Sequence, residues 1–338
     1  MIFRIGDQSQ VGSARRAAAT LARECGCVEA DAGRVSIVAT EMATNLLRHA
    51  GSGHAGGGHT SGGEIATQRI ADGEGDWLEL VAFDCGPGIA DTARAMEDGF
   101  SRAGSPGTGL GAIRRQADNF AIWSAPGVGT AVMARFAVAR APATFGCGIG
   151  VMVAPYPGEA VSGDAWSFAQ ASAGASMLVA DGLGHGPFAA AAAGAAVACF
   201  GRYVEQSGVQ IAEAIHGALR PTRGAAIAVA RIDTAERLVR FVGIGNIAGA
   251  VISNGTSKRT VSHHGTAGHT APRIAEFTYP YAGRPVVILH SDGLSAKWDL
   301  GSYPGLAASH PALIAAILFA RMRRERDDAC ILVVRAPQ

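Results

Sequence analysis

The sequence predicts an α+β protein of two domains, and three observations carry that prediction. The chain has 338 residues, more than a single compact core usually organises. Apolar residues recur at helical spacing in some segments and fill runs of strand length in others. Periodicity lapses in Ala137–Gly148, and the signals on either side of that stretch differ in kind. The expected domains are residues 1–138 and 148–338, with a short linker at 139–147. A hydrophobic content of 48% is enough for both cores.

Composition narrows the function classes. A net charge of +1 gives no reason to expect nucleic acid or an anionic membrane as partner. Only Lys258 and Lys297 are lysines, so arginine carries nearly all the positive charge. The six cysteines are scattered, and Cys25-Gly-Cys27 stands too isolated for a metal site. Arg4 and Asp7 interrupt the opening residues, which therefore do not read as a signal peptide. The apolar run Ala189–Phe200 is too short to span a bilayer. A reduced, soluble, cytoplasmic protein is expected.

Val11–Glu24 reads as a first helix, rich in alanine and arginine. Val35–His49 is a second, with Val35, Val38, Met42 and Leu46 on one apolar stripe. Glu41 and Asn45 share a face at the edge of that stripe. A carboxylate and an amide one turn apart can handle a proton and a metal ion together. Taken alone, they read more readily as a surface glutamate and a helix-ending asparagine. Gly51–Gly63, with His54 and His59, reads as a flexible loop. Strands are expected at Glu64–Asp72, Trp77–Asp84, Phe120–Ser124 and Thr130–Val138.

The second of these strands delivers Asp84 into a glycine-rich turn, Asp84-Cys-Gly86-Pro-Gly88, and a second turn follows at Gly107-Thr108-Gly109-Leu110-Gly111. Glycines at this density let backbone N–H groups approach a phosphate closely. The chain has no GxxxxGK[ST] loop and no lysine before Lys258, which excludes the ordinary P-loop and the eukaryotic-type kinase. The spacing is not that of a dinucleotide fold either.

Glu41-Met-Ala-Thr-Asn45, the two glycine boxes and Gly129-Thr130 together resemble the GHKL ATPase/kinase superfamily over roughly residues 5–138. Asn45-Leu-Leu-Arg-His-Ala-Gly51 and Met96-Glu-Asp-Gly-Phe-Ser101 are similar to the stressosome branch of its serine/threonine switch kinases. The resemblance implies a Bergerat-type α/β sandwich that binds ATP and Mg²⁺. It assigns Asp84 to the adenine amine with Thr130 in support, and Asn45 to Mg²⁺. Gly86, Gly88, Gly107, Thr108, Gly109, Leu110 and Gly111 would line the nucleotide, and Glu41 would be the general base. Arg102, in the short lid Ile89–Pro106, reads equally as a phosphate contact or a solvated arginine.

The second half shows a different recurring event. Strands are expected at Gly148–Pro155, after Ser162-Gly-Asp164, and at Ser176–Ala180, Ala225–Ile232, Leu238–Val242, Ile247–Ile252, Val286–His290 and Cys330–Val334. Helices are expected at Pro187–Tyr203, Ile211–Leu219 and Pro311–Met322. Asp164, Asp181, Asp292 and Asp327 lie at strand ends, often before glycine. Each alone reads as an ordinary turn aspartate. Four carboxylates gathered at one edge would repel unless a hard cation sat among them.

Ser162-Gly-Asp164, Val179-Ala-Asp181-Gly-Leu-Gly-His-Gly186, His290-Ser-Asp292-Gly-Leu294 and Arg326-Asp327-Asp328 resemble, in order, the SpoIIE-type branch of the metal-dependent type 2C serine/threonine phosphatases. The resemblance covers about residues 147–336 and implies a type 2C phosphatase β-sandwich flanked by helices. It implies two Mn²⁺ or Mg²⁺ ions held by Asp164, Asp181, the carbonyl of Gly182, Asp292 and Asp327. His185 reads equally as a proton donor or a loop residue, and Asn246 and His269 as shaping the substrate side. No arginine takes the phosphate-clamping place found in some enzymes of this class.

The two resemblances together imply a kinase and an opposing phosphatase on one chain, acting on Ser or Thr of a partner. By resemblance the partner would be a STAS-domain antagonist in a stressosome-like circuit that ultimately controls a sigma factor or another output. The rival reading is an ATP-binding module that only sequesters its partner, fused to an active phosphatase.

Overall fold

The computed structural model of the chain describes residues 1–55, 58–97, 109–139, 146–171 and 174–337. They fall into two compact units. The first is Met1–Ala143 with Leu300–Arg321, and the second is Thr144–Asp299 with Met322–Gln338.

The first unit opens with strand β1 (Ile2–Ile5) and helix α1 (Gln8–Glu24). Asp7 and Gln10 form a reciprocal capping box at the start of α1. Helix α2 spans Glu29–His49, six residues earlier than its apolar stripe suggests, because Glu29 and Asp31 suit its positive N-terminal end. The expected flexible loop after it contains a short ladder of β2 (Ser52–Ala55) against β3 (Gly58–Ser61). Strands β4 (Gly63–Asp72) and β5 (Gly75–Asp84) follow, then the short helices α3 (Thr92–Ala95) and α4 (Gly109–Gln116). Strands β6 (Asn119–Ala125) and β7 (Gly129–Ala139) complete an antiparallel sheet in the order β1-β4-β5-β7-β6.

Strand alternation gives this sheet two faces. Leu78, Leu80, Ala82, Val132 and Ala134 join Val35, Val38, Met42 and Leu46 in a core beneath α1 and α2. Phe83, Met133 and Arg135 fall on the opposite face and are also buried. Arg135 donates to Glu79 at 2.7 Å and to Asp72 at 2.8 Å, and none of the three side chains is exposed.

The second unit holds two five-stranded antiparallel sheets. Its strands are β8 (Gly148–Ala154), β9 (Asp164–Ala171), β10 (Gly174–Gly182), β11 (Ala225–Asp233), β12 (Leu238–Ile244), β13 (Ala248–Ser253), β14 (Thr256–Arg259), β15 (Phe277–Pro280), β16 (Val286–His290) and β17 (Ala329–Arg335). One sheet runs β15-β12-β11-β10-β9 and the other β14-β13-β16-β17-β8, with β17 lying against β9 and β10. Helices α5 (Pro187–Tyr203) and α6 (Gly208–Leu219) cover the first sheet through Ala193, Ala196, Phe200, Ile211 and Ile215. Pro187 starts α5, and a Ser207–Gln210 capping box starts α6.

Between β16 and β17 the chain leaves this unit. Leu300–Arg321 belongs to the first unit, and it includes most of helix α7 (Pro311–Met322). Every residue from Pro311 to Phe319 is buried, as a helix apolar on all sides requires. Phe319 meets the ring of Phe83 edge-on at 6.2 Å. The Ala320 carbonyl accepts a long contact from Cys85 Sγ at 3.9 Å, and Arg321 donates to the Val128 carbonyl. Nearer the start of the segment, Tyr303 packs against Trp123, whose indole N–H donates to the Pro304 carbonyl at 3.0 Å. The unpaired face of the first sheet is thus covered by residues far away in sequence. No helix among the described residues is long and apolar enough to cross a membrane.

Candidate functional site

In the first unit, α2, α4 and the ends of β5 and β7 enclose a cavity of about 410 Å³, the size of a small-molecule pocket. Asn45, Asp84, Gly88, Gly109, Leu110 and Thr130 line it, beside the apolar Met42, Leu46 and Val132. Gly109 opens α4 against α2. A Cβ there would lie 3.1 Å from Asn45 Oδ1 and 3.3 Å from Glu41 Oε2. Glu41 and Asn45, one turn apart on α2, are therefore both brought to the N-terminus of α4, where N–H groups point at an anion. Gly111 is buried behind them. Gly107, Thr108 and Arg102 lie outside the described residues.

Asp84 also lines the cavity. Burial pushes its carboxyl above the usual range, opposed by hydrogen bonds from the backbone N–H groups of Gly86 and Thr130. The Gly86 bond is 2.7 Å long. Glycine is obligatory around it. A Cβ on Gly86 would fall 2.4 Å from the Ala50 carbonyl oxygen, and one on Gly129, at φ 134°, would fall 2.0 Å from that of Asp84.

Thr130 pairs with Asp84 across the β5–β7 ladder, and its hydroxyl meets Ser124 Oγ at 2.8 Å. Ser124 also accepts from the Ile89 N–H at 2.7 Å, tying β6 to the start of the lid. Sequence reasoning missed Ser124, because its role exists only through β6–β7 pairing. It also missed His49, which lines the cavity and whose pKa burial lowers, so the ring favours its neutral form.

The second unit gathers carboxylates at the ends of its central strands. Asp164 starts β9 and faces Asp181 across the β9–β10 ladder. Asp292 follows β16, and Asp327 and Asp328 precede β17, the strand paired with β16. Burial and then the charge of Asp181 push Asp164 up to about 8. Burial and then the charge of Asp292 push Asp181 up to about 7. Ser291 Oγ donates to Asp164 Oδ2 at 2.6 Å, and Asn246 Nδ2 donates to Asp292 Oδ2 at 2.7 Å.

Two buried oxygens here, Asp164 Oδ1 and Asp328 Oδ2, have no hydrogen-bond donor. Hard, mutually repelling oxygens without donors are what a divalent cation satisfies, so the donor set fits such an ion. Among the described residues no three His, Cys, Asp or Glu side chains close on one point, so water or backbone oxygen would complete the shell. Gly182 is packed too tightly for any side chain, since a Cβ would fall 2.2 Å from the Ala189 carbonyl oxygen.

Asp327, the residue expected from sequence, is the more exposed of its pair; Asp328 is buried and lies 2.7 Å from where a Gly163 Cβ would be. Asp328 and Ser291 are thus site residues that spacing alone did not single out. His269 is turned to a neighbouring loop and bonds the Arg223 carbonyl at 2.9 Å.

Comparison with known proteins finds two families along the chain, the second running through Leu300–Arg321. Residues 6–136 match the histidine kinase-like ATPase domain family, and residues 172–337 match stage II sporulation protein E (SpoIIE). The serine/threonine-protein kinase RsbT of Bacillus subtilis (strain 168) is 34% identical over 131 residues, which is 39% of this chain and 91% of RsbT. A structure described with the bacterial stressosome, a modular system adapted to control secondary messenger signalling, is 27% identical. It has a TM-score of 0.52 over 56% of this chain and 99% of its own. RsbX in complex with magnesium is 21% identical with a TM-score of 0.50, over 56% of this chain and 96% of its own, and shows the shared fold. The chain therefore belongs, through its ATPase domain, to the serine/threonine-protein kinase family of RsbT, and carries a SpoIIE-family phosphatase domain after it.

Proposed function

We propose that the chain is a two-way phosphorylation switch: the first unit phosphorylates Ser or Thr on a partner protein, and the second removes the phosphate. The observation that carries this reading is the meeting of Glu41 and Asn45 with Gly109, beside a cavity that Asn45, Gly109 and Asp84 all line. Asp84 accepts a hydrogen bond from the adenine amine of ATP, with Thr130 and Ser124 holding that wall. Asn45 holds Mg²⁺ against the phosphates, which rest on the α4 N-terminus. Glu41 takes the proton from the attacking hydroxyl.

In the second unit Asp164, Asp181, Asp292, Asp327 and the Gly182 carbonyl hold a pair of Mn²⁺ or Mg²⁺ ions, with Asp328 beside them. Such a pair supplies an activated water and neutralises the phosphoryl oxygens. Ser291 and Asn246 keep Asp164 and Asp292 oriented toward that place. The similarity to RsbT, and to structures of the stressosome and of RsbX, supports a cytoplasmic partner-switching circuit with a STAS-domain protein as the substrate. Neither nucleic acid nor membrane enters this reading.

The test is to follow label from ATP onto and off a purified STAS-domain protein, using the intact chain, Glu41→Ala and Asp181→Ala. Transfer that Glu41→Ala abolishes, and release that Asp181→Ala abolishes, are the expected results. Absence of transfer by the intact chain overturns the kinase reading and leaves ATP-dependent sequestration. Unchanged release in Asp181→Ala overturns the metal assignment.

A further inference from the structure

Three of the eight large apolar side chains that stand exposed among the described residues lie beside the carboxylate cluster of the second unit, too many for an even scatter. They are Val161, Leu183 and Phe188. Each is one or two residues from a point where three backbone segments meet. The Gly182 N–H donates to the Gly163 carbonyl at 3.0 Å, and a Cβ on either glycine would fall within 3.0 Å of Ala189. Gly163 also borders the cluster, since its Cβ would lie 2.7 Å from Asp328 Oδ2. Val161 precedes Gly163, Leu183 follows Gly182 and Phe188 precedes Ala189, so all three mark the edge of the carboxylate site.

That edge is braced on both sides. His185 Nδ1 meets Glu159 Oε1 at 2.8 Å and its ring stacks on Tyr156, which ties the turn after β10 to the β8–β9 loop that carries Val161. On the other side the Leu183 N–H donates to the Gly224 carbonyl at 3.0 Å. The adjacent Arg223 lays its guanidinium over the Phe188 ring, 4.8 Å from the centroid, with Nη1 3.2 Å from where a Gly184 Cβ would be. Phe188 nonetheless remains 68% exposed and Leu183 45%. Helix α5 continues the pattern: no charged residue precedes Arg202 on it, and its exposed Pro187, Ala191 and Gly194 are small. A helix face turned to water ordinarily carries charge, so this one suits an apolar contact.

We propose that Phe188 and Leu183, with Arg223 fixing the Phe188 ring, form a specificity surface that receives an apolar side chain next to the phosphorylated Ser or Thr of a protein substrate. The proposal rests on the phosphatase reading of the second unit and names the kind of substrate it takes. Continuity with the carboxylate cluster selects this occupant. Consecutive residues are only about 3.8 Å apart, so a phosphoserine that reaches the cluster lays its neighbours across the edge. An apolar neighbour sheds water against Phe188 and Leu183, whereas glycine has no side chain to bury.

The assay uses two phosphoserine peptides, alike except that leucine flanks the phosphoserine in one and glycine in the other. With the full chain and Mn²⁺, the leucine peptide is expected to show a KM about 10-fold lower at similar kcat, the effect of partly burying one leucine side chain. Phe188→Ala should erase most of that preference, and Leu183→Ser and Arg223→Ala part of it, all through KM. Hydrolysis of p-nitrophenyl phosphate, which has no neighbouring residue, should not change. Fluorescence anisotropy of the same peptides, dye-labelled and added to Asp181→Ala to slow turnover, should rank them in the same order. Melting temperatures equal to that of the unaltered chain show that the variants are folded. Equal KM values for the two peptides, or a preference that survives Phe188→Ala, overturn the proposal while leaving the phosphatase reading intact. Self-association that Phe188→Ala abolishes, without any peptide preference, gives the patch to a second copy of the chain and overturns it as well. Hydrolysis of no substrate by the unaltered chain overturns the phosphatase reading and the proposal with it.

Discussion

Gly109→Ala should separate the stability of the first unit from its chemistry. The added methyl carbon would lie 3.1 Å and 3.2 Å from Oδ1 and Nδ2 of Asn45, and 3.3 Å from Oε2 of Glu41. Contacts of that length require the neighbours to give by a few tenths of an ångström. Both are ends of half-buried side chains, so they can give. Alanine is worth up to about 1 kcal/mol over glycine inside a helix, and less at its first residue. The gain and the crowding oppose each other, and the stability change should stay within about 1 kcal/mol. Catalysis has no such tolerance, because misplacing aligned groups by up to 1 Å costs up to about 10²-fold. The expected result is a nearly unchanged melting temperature, weaker MgATP binding by titration calorimetry, and transfer slowed by about 10-fold to 10²-fold. A folded variant with unaltered MgATP affinity and transfer rate would refute the placement of Asn45 and Glu41 against the nucleotide.

Other perturbations test other parts of the structure. Ser124→Ala removes the hydroxyl that joins Thr130 to the Ile89 N–H; it should cost about 1–2 kcal/mol in urea unfolding and weaken ATP binding. Arg135→Ala strands the buried charges of Glu79 and Asp72 and should destabilise by about 3–5 kcal/mol, read from the same urea curves. In chelator, thermal stability should fall as pH rises. Asp164 and Asp181 titrate near 8 and 7 when folded, against an ordinary 3.8, so between about pH 4 and 8 the folded chain binds more protons than the unfolded one. Added Mn²⁺ should flatten that slope, and a melting temperature that rises with pH in chelator would contradict the burial of these carboxylates.

The parts of the site that could be read from sequence are those in which chemistry and spacing coincide. Asp84 ends an unmistakable apolar strand, and Glu41 and Asn45 lie one helical turn apart, a pair that gained weight only beside the glycine boxes. Ser124 was not legible, because serine in a strand carries no signal until pairing sets it opposite Thr130. The same holds for Asp328. Two adjacent aspartates at the head of a strand look alike in sequence, and burial distinguishes them. Strand β1 was too short to stand out, while α5 was readable to the residue because Pro187 marks its start. Helix α7 was legible as a buried helix, yet its apolar residues do not say which sheet they cover.

That last ambiguity has an evolutionary consequence. A gene fusion of two enzymes is ordinarily reversible, since each part can be inherited or lost alone. Here the stretch that shields Phe83 and Trp123 is encoded between Asp292 and Asp327, deep inside the SpoIIE-matched region. A chain ending at residue 138 would bare that apolar face to water, and should aggregate where the full chain does not. Recombination at the apparent seam would therefore yield a damaged first half. The two activities proposed for this chain are bound to travel through descent as one heritable piece, and selection can tune their ratio only within it.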